Sequence, residues 1–292
     1  MDIVDTAALV LAALEVAPCE SADLTALLRD ENELAALLSL DLVLAGQPLT
    51  SYLIETLDHG RVEHWRKALD REVRREQRYH VVLVGREGYP SRLASVWDAP
   101  PVLFVRGTLP GESGSAVAII GSRRADQRTL NATEELAADL AAQGVDVVSG
   151  LALGVDGAAH RGALRTGRTT AVMGTGIQNV TPIEHVDLAE AIVARGALVS
   201  EFTPYAPRTR TTFLRRNGTI AGLSELLVVM GAAVRSGSRQ AVGRALEYGR
   251  PVLMWEETLA REPWARELAS TGRARFFRES TDVRAALDEV QP

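Results

Sequence analysis

One cysteine, Cys19, stands in a chain of 292 residues. A single thiol excludes an internal disulfide and fits a reducing compartment. Five histidines, with His160 and His185 apart from the other three, leave no ligand spacing that calls for zinc or another metal. Apolar runs are short: charge or glycine interrupts each well before the roughly 20 residues a bilayer span needs, so no membrane partner is expected. The opening segment MDIVDTAALVLAALEVAPCE is acidic where a secretory signal is basic, and it reads as mature cytoplasmic protein. The net charge of −6 argues against indiscriminate coating of nucleic acid, but it permits a local basic groove. The rest of the composition, 46% hydrophobic and 24% charged, is that of an ordinary globular protein with room for one large domain and a smaller one.

Residues 1–78 carry a helical pattern. TAALVLAALEV and ADLTALLRDENELAALLSL space their apolar residues for helices, with Ser21 or Asp23 as N-cap candidates. The mixed-sign run RVEHWRKALDREVRREQR suits a solvated connecting helix better than a nucleic-acid surface, because acids and bases interleave. From Tyr79 the pattern changes to nine short β-rich runs: HVVLVG, VLFVRG, AVAIIG, DVVSG, TTAVMG, ALVSEF, LLVVMG, PVLMW and ARFF. Most from AVAIIG onward lead into a helical segment. This predicts an α/β fold, a Rossmann-like doubly wound and mostly parallel sheet over residues 79–292, with a small helical N-terminal domain over 1–78. The segment FFRESTDVRAALDEVQP reads as a strand, a cap at Ser280 or Thr281 and a closing helix.

In such sheets ligands bind beyond the carboxyl ends of the strands, so the loops there are the place to look for chemistry. In GSRRADQ, Gly121 permits a tight turn, Ser122 offers a hydroxyl, and Arg123 with the amides of the following helix start can hold a phosphate. The G-x-G-x-x-G fingerprint is missing there, and a plain turn with solvated arginines is the alternative. In VVSGLALGVDGAAHRGAL, Gly150, Gly154 and Gly157 allow close approach by a ligand, while Asp156 and His160, four apart, can meet on one helix face. That pair reads as a structural brace rather than as catalytic, since no nucleophile stands beside it. PYAPRTRTTFLRRNG sets Arg208, Arg210, Arg215 and Arg216 beside Phe213 and Asn217, the parts of a single-strand grip, although a solvated loop or an oligomer contact would use the same residues. Finally, Ser236, Gly237 and Ser238 precede or open a helix and could donate to an anion or simply cap it.

Taken in order and spacing, GSRR, VSGLALGVDGAAHRGAL, VSEF, FLRRN, IAGLSELLVVM and RSGS resemble the DNA-processing family DprA, also called Smf. The segment YPSRLASVWDAPPVLFVRG is similar to the stretch that leads into that family's Rossmann-like domain, so the resemblance spans roughly Tyr79 to Val290. The resemblance implies a single-stranded DNA-binding protein of DNA processing, natural transformation and competence, and recombination. Such a protein would act as a homodimer, protect the strand and help load RecA, with neither cofactor nor enzymatic activity. It also implies that Gly121, Ser122, Arg123, Gly150, Arg215, Arg216, Asn217, Ser236, Gly237 and Ser238 form the DNA or phosphate site. Gly218 departs from the family, which carries a second arginine after its R-N pair, and Arg239 and Gln240 depart after S-G-S. The alternatives are a small-nucleotide sensor and a nucleotide phosphoribohydrolase of the LOG type. The latter family's P-G-G-x-G-T element and its glutamate have no counterpart at MGAAVRSGSRQ.

Overall fold

The computed structural model describes residues 2–18, 21–111, 114–232 and 237–290, and the chain divides into two units, residues 1–105 and 106–292. The first unit contains α1 (Ile3–Val16), α2 (Ser21–Arg29), α3 (Glu31–Ser39), α4 (Pro48–Thr56) and α5 (His59–Leu69), followed by a π-helical turn over Asp70–Arg75. After these come β1 (His80–Leu83), the short helix α6 (Ser91–Ala94) and β2 (Val102–Gly107), with β1 and β2 antiparallel. Leu24, Leu27, Leu37, Leu53 and Leu69 are fully buried among these helices. The apolar segment from Ser21 to Leu40 forms two helices rather than one, because the Asp30 carboxylate accepts the amides of Asn32 and Glu33 and starts α3 afresh. Ser21 is already the first residue of α2 and Asp23 lies in its first turn, so neither is its N-cap. The charged run after Asp58 does form an exposed helix, laced by Glu63 to Arg66 and Lys67.

The division falls inside β2, whereas the sequence pattern changes at 78/79. The reason is local packing: Tyr79 Oη donates to the buried Glu72 at 2.9 Å, and its ring meets Phe104 edge-on at 5.6 Å. These contacts bind the first hairpin to the chain that precedes it.

The second unit runs β3 (Ala116–Ile120), α7 (Gln127–Ala142), β4 (Asp146–Ser149), α8 (Val155–Thr166), β5 (Thr169–Val172), α9 (Val186–Arg195), β6 (Ala197–Ser200), α10 (Arg210–Gly222), β7 (Leu226–Val229), α11 (Gly237–Glu247), β8 (Val252–Trp255), α12 (Glu256–Leu259), α13 (Pro263–Ser270), β9 (Arg275–Phe277) and α14 (Ser280–Val290). Its strands lie side by side in the order β6-β5-β4-β3-β7-β8-β9, every pair parallel. All nine strands read from the sequence are thus formed. Strand residues facing one side, such as Val117, Ile119, Val147, Val228 and Leu253, join α7, α8 and α14 in one apolar cluster. The alternate residues Ala118, Val148 and Leu227 are equally buried, so both faces are covered, as a parallel sheet requires. The chain winds outward from β3 to β6, then returns beside β3 as β7. That reversal opens a crevice at the carboxyl ends of β3 and β7. At the far end Ser280 and Thr281 are the first residues of α14 and not its cap; the Asp282 carboxylate instead accepts the amides of Arg278 and Glu279.

Candidate functional site

A cavity of about 770 Å³ lies at the crevice and is bordered by four segments. The turn after β3 supplies Gly121, Ser122, Arg123 and Arg124. The first two turns of α10, with Arg208 and Thr209 before them, supply Arg210, Phe213, Arg216 and Asn217. The start of α11 supplies Gly237 and Ser238, and Ala152 and Asp156 close the wall beside β4.

Helix α10 presents these residues because of how it begins and how it turns. Thr209 and Thr212 form a reciprocal capping box, which fixes where the helix starts, and the buried residues Ile220 and Ala221 set its face toward the core. Residues 209, 213, 216 and 217 then recur at helical spacing on one face. Phe213 sits at the centre of a cluster of cations: the guanidinium carbons of Arg123, Arg208 and Arg216 stand 5.4, 5.1 and 5.3 Å from its ring centroid. Arg215 is one residue out of phase and points elsewhere. Its Nη2 donates to the Glu201 carboxylate at 2.8 Å and its guanidinium lies over Phe202, so Arg215, expected from the sequence at the phosphate site, does not line this cavity.

The deepest charge is Arg216, only 4% exposed. Its Nη1 stands 3.8 Å from Asp156 Oδ2, and its Nε is buried with no hydrogen-bond partner among the described residues. Gly150 makes this possible, because a Cβ there would overlap the Arg216 guanidinium and stand 2.6 Å from Asp156 Oδ2. Gly150 thus acts by making room for the ion pair rather than by lining the cavity. Burial pushes the Asp156 carboxyl above its ordinary range, against the pull of Arg216. Burial likewise lowers Arg216, with Asp156 opposing and Arg123 adding to the shift.

Asp156 and His160 do not bond each other. Asp156 Oδ2 takes the Ala152 amide at 3.4 Å, while His160 Nδ1 meets Thr169 Oγ1 at 2.8 Å in the interior. The Thr169 hydroxyl donates to the Val147 carbonyl, so it accepts from His160, which places the imidazole proton on Nδ1. Burial, with His185, Arg216 and Arg161 nearby, lowers His160 to about 3 and keeps it neutral. His160 therefore braces α8 against the sheet.

The turn after β3 also differs from expectation. Helix α7 begins at Gln127, and Asp126 caps it by accepting the Thr129 amide at 2.8 Å. A carboxylate already occupies that helix start, and the groups that the turn presents to the cavity are those of Gly121, Ser122, Arg123 and Arg124. Gly154, at φ 79, caps α8 and brings the Val155 amide to the Ser122 carbonyl at 3.1 Å, which docks the two loops. Ser122 Oγ accepts the Arg124 amide at 3.1 Å. Ser238 Oγ donates to the Gly121 carbonyl at 3.0 Å, and Asn217 Nδ2 donates to the Gly237 carbonyl at 3.1 Å. Ser236 lies outside the described residues. A Cβ at Gly218 would stand 2.9 Å from Tyr248 Oη, so a longer side chain at that position would start between α10 and α11. The sequence did not single out Arg124, Thr209 or Leu214 for the cavity wall. Arg124 was legible as the second arginine of GSRR, whereas the other two follow only from the rotation of α10.

No helix is long and apolar enough to cross a membrane, and no group of three metal-ligating side chains occurs among the described residues.

Residues 80–288 match the family model of DNA recombination-mediator protein A. Protein Smf of Escherichia coli is 39% identical over 176 residues, covering 60% of this chain and 47% of that protein. DNA processing protein DprA of Bacillus subtilis is 34% identical over 180 residues, 61% of each chain. This chain thus spans about half to three fifths of the curated relatives it matches. The crystal structure of DprA from Streptococcus pneumoniae superposes with a TM-score of 0.70 at 27% identity, covering 91% of this chain and 95% of that one. DNA processing protein A from Helicobacter pylori, studied for its single-stranded DNA binding mode, gives 0.64 at 26% identity, covering 73% and 97%.

Proposed function

The chain belongs to the family of DNA recombination-mediator protein A, and on that footing we propose that its β3–β7 crevice grips the sugar-phosphate backbone of single-stranded DNA. The observation that carries this reading is the convergence of Arg123, Arg208 and Arg216 on the Phe213 ring inside one cavity. Arginines supply charge-assisted bonds to phosphate, and an aromatic plate offers a base a stacking surface without regard to sequence. Gly121, Ser122, Asn217, Gly237 and Ser238 shape the remaining wall. The relative from Helicobacter pylori, studied for single-stranded DNA binding, supports the choice of ligand. The same family membership supports a wider role, protecting the strand as a homodimer and helping deliver it to RecA during DNA processing.

Binding rather than catalysis fits the wall. Asp156 is the one carboxylate among the described residues lining the cavity, and it is engaged by Arg216. His160 is buried behind it and neutral. A general base with access to a substrate is missing from that set.

A fluorescent oligothymidine titrated by anisotropy at several salt concentrations tests the reading. Binding should weaken as salt rises, with a log–log slope of about −0.7 for each phosphate neutralised. Arg123→Ala with Arg216→Ala should weaken binding and flatten that slope; equal affinity in parent and double variant at moderate salt rejects the assignment. The cavity, at about 770 Å³, is also large enough for a mononucleotide. A thermal-shift comparison of mono- and cyclic nucleotides with short oligonucleotides decides between the two ligands.

A further inference from the structure

A carboxylate on the wall of a phosphate site repels what the arginines attract, so Asp156 should be a handicap. Three observations show how closely its place is built. Asp156 sits 3.8 Å from Arg216 Nη1, with both side chains almost wholly buried. Among the described residues it is the one ion-pair partner of Arg216, whose Nε goes without any hydrogen bond. The slot where the two meet exists because residue 150 has no Cβ: an alanine there would run into Arg216 and crowd Asp156. The Ala152 amide steadies the carboxylate from the loop side.

A long guanidinium with so few bonds is not held by its own side chain, which has several rotatable bonds and a large rotamer entropy to lose. Over the Phe213 ring it gains attraction but little direction. The charged contact within the wall is the Asp156 carboxylate, at 3.8 Å.

We infer that Asp156 is a positioning residue for anion binding: through the slot left by Gly150 it fixes the Arg216 guanidinium at the cavity wall, and so strengthens binding that its own charge opposes. This rests on the crevice being the phosphate site proposed above. The long 3.8 Å pair describes a cation that is placed but not saturated, with guanidinium donors at the cavity wall left for a phosphate oxygen.

Charge and position predict opposite signs, and this makes the inference testable. If Asp156 acts by charge alone, Asp156→Asn tightens oligothymidine binding both in the parent and in an Arg216→Ala background. If it positions Arg216, Asp156→Asn weakens binding about tenfold in the parent. In the Arg216→Ala background, where there is nothing left to hold, the same change tightens binding. Asp156→Glu serves if the asparagine variant does not fold: charge alone leaves affinity unchanged, whereas positioning predicts weakening, because the extra methylene displaces the carboxylate. A second readout needs no DNA. Phenylglyoxal labelling followed by peptide mass spectrometry should find Arg216 protected in the parent and labelled in Asp156→Asn. Tightening in both backgrounds, or an Arg216 that stays protected, overturns the inference. A parent that fails to bind oligothymidine overturns the DNA reading instead, and the labelling then decides the role of Asp156 on its own.

Discussion

The Arg208 guanidinium carbon lies 5.1 Å from the centroid of the Phe213 ring, and that same ring is approached by Arg123 at 5.4 Å and by Arg216 at 5.3 Å. One aromatic side chain therefore gathers cations from two different loops. Phe213→Ala removes both the gathering point and the stacking plate, and should cost about 1–3 kcal/mol in oligothymidine binding. Phe213→Trp should retain most of the affinity. Anisotropy titrations of both variants at one salt concentration provide the check, and equal losses in the two would show that the ring face is not what matters.

Arg215 gives the contrasting case. Its partner is Glu201, whose carboxylate is nearly buried and also receives the Thr219 hydroxyl at 3.0 Å. Arg215→Ala should lower stability by about 1 kcal/mol, a modest figure because the arginine itself is half exposed. The salt slope of DNA binding should not change. Urea melts and a salt series on the same sample measure both effects.

His160 links stability to pH. Its folded value of about 3 lies below its ordinary 6.5, so between those limits the unfolded chain binds the proton and the folded chain does not. Stability should therefore fall as pH drops from about 6.5 toward 3, by at most about 1.4 kcal/mol per pH unit from this one group. The raised Asp156 acts in the opposite sense, since its folded state holds a proton more readily. His160→Asn should flatten the acid limb in urea melts run from pH 4 to 7, and an unchanged limb would assign the effect to other groups.

Gly150→Ala adds a single methyl where Arg216 and Asp156 meet. Overpacking of this kind costs about 1–3 kcal/mol. Relief requires Arg216 to leave, so stability and oligothymidine affinity should fall together. Thermal melts of this variant in the Arg216→Ala background should recover much of the lost stability, because the atoms in the way are gone.

The sheet was legible in full because each strand is a short run of β-branched and apolar residues ended by glycine or charge, as in AVAIIG and LLVVMG. The cavity was legible by loop, since a doubly wound sheet brings its strand ends to one rim, and Ser122, Arg123, Arg216 and Asn217 do line it. What the sequence could not convey was direction. Arg215 and Arg216 are adjacent in the chain yet part by about 100° around α10, and which of them faces inward follows from the packing of the helix's buried face, with Ile220 and Ala221 in the core. Asp126 follows GSRR closely in the sequence, and its occupation of the α7 start depends on where that helix begins. Gly150 could be read as a glycine open to a ligand, although the atom it makes way for belongs to Arg216, some sixty residues along the chain.

The two serines of the cavity wall face a ligand with opposite hands. The Ser238 hydroxyl has given its hydrogen to the Gly121 carbonyl, so toward the cavity Oγ offers lone pairs. Ser122 accepts an amide and keeps its hydrogen to give. Ser122 and the arginines thus form a donating bank, and Ser238 an accepting one. A nucleotide in a DNA strand has a related asymmetry, with acceptors alone on its phosphate and its N–H donors on the base. A strand laid in the crevice would set its phosphate toward Ser122 and the arginines and the N–H groups of a base toward Ser238 Oγ, a preference that charge by itself would not impose.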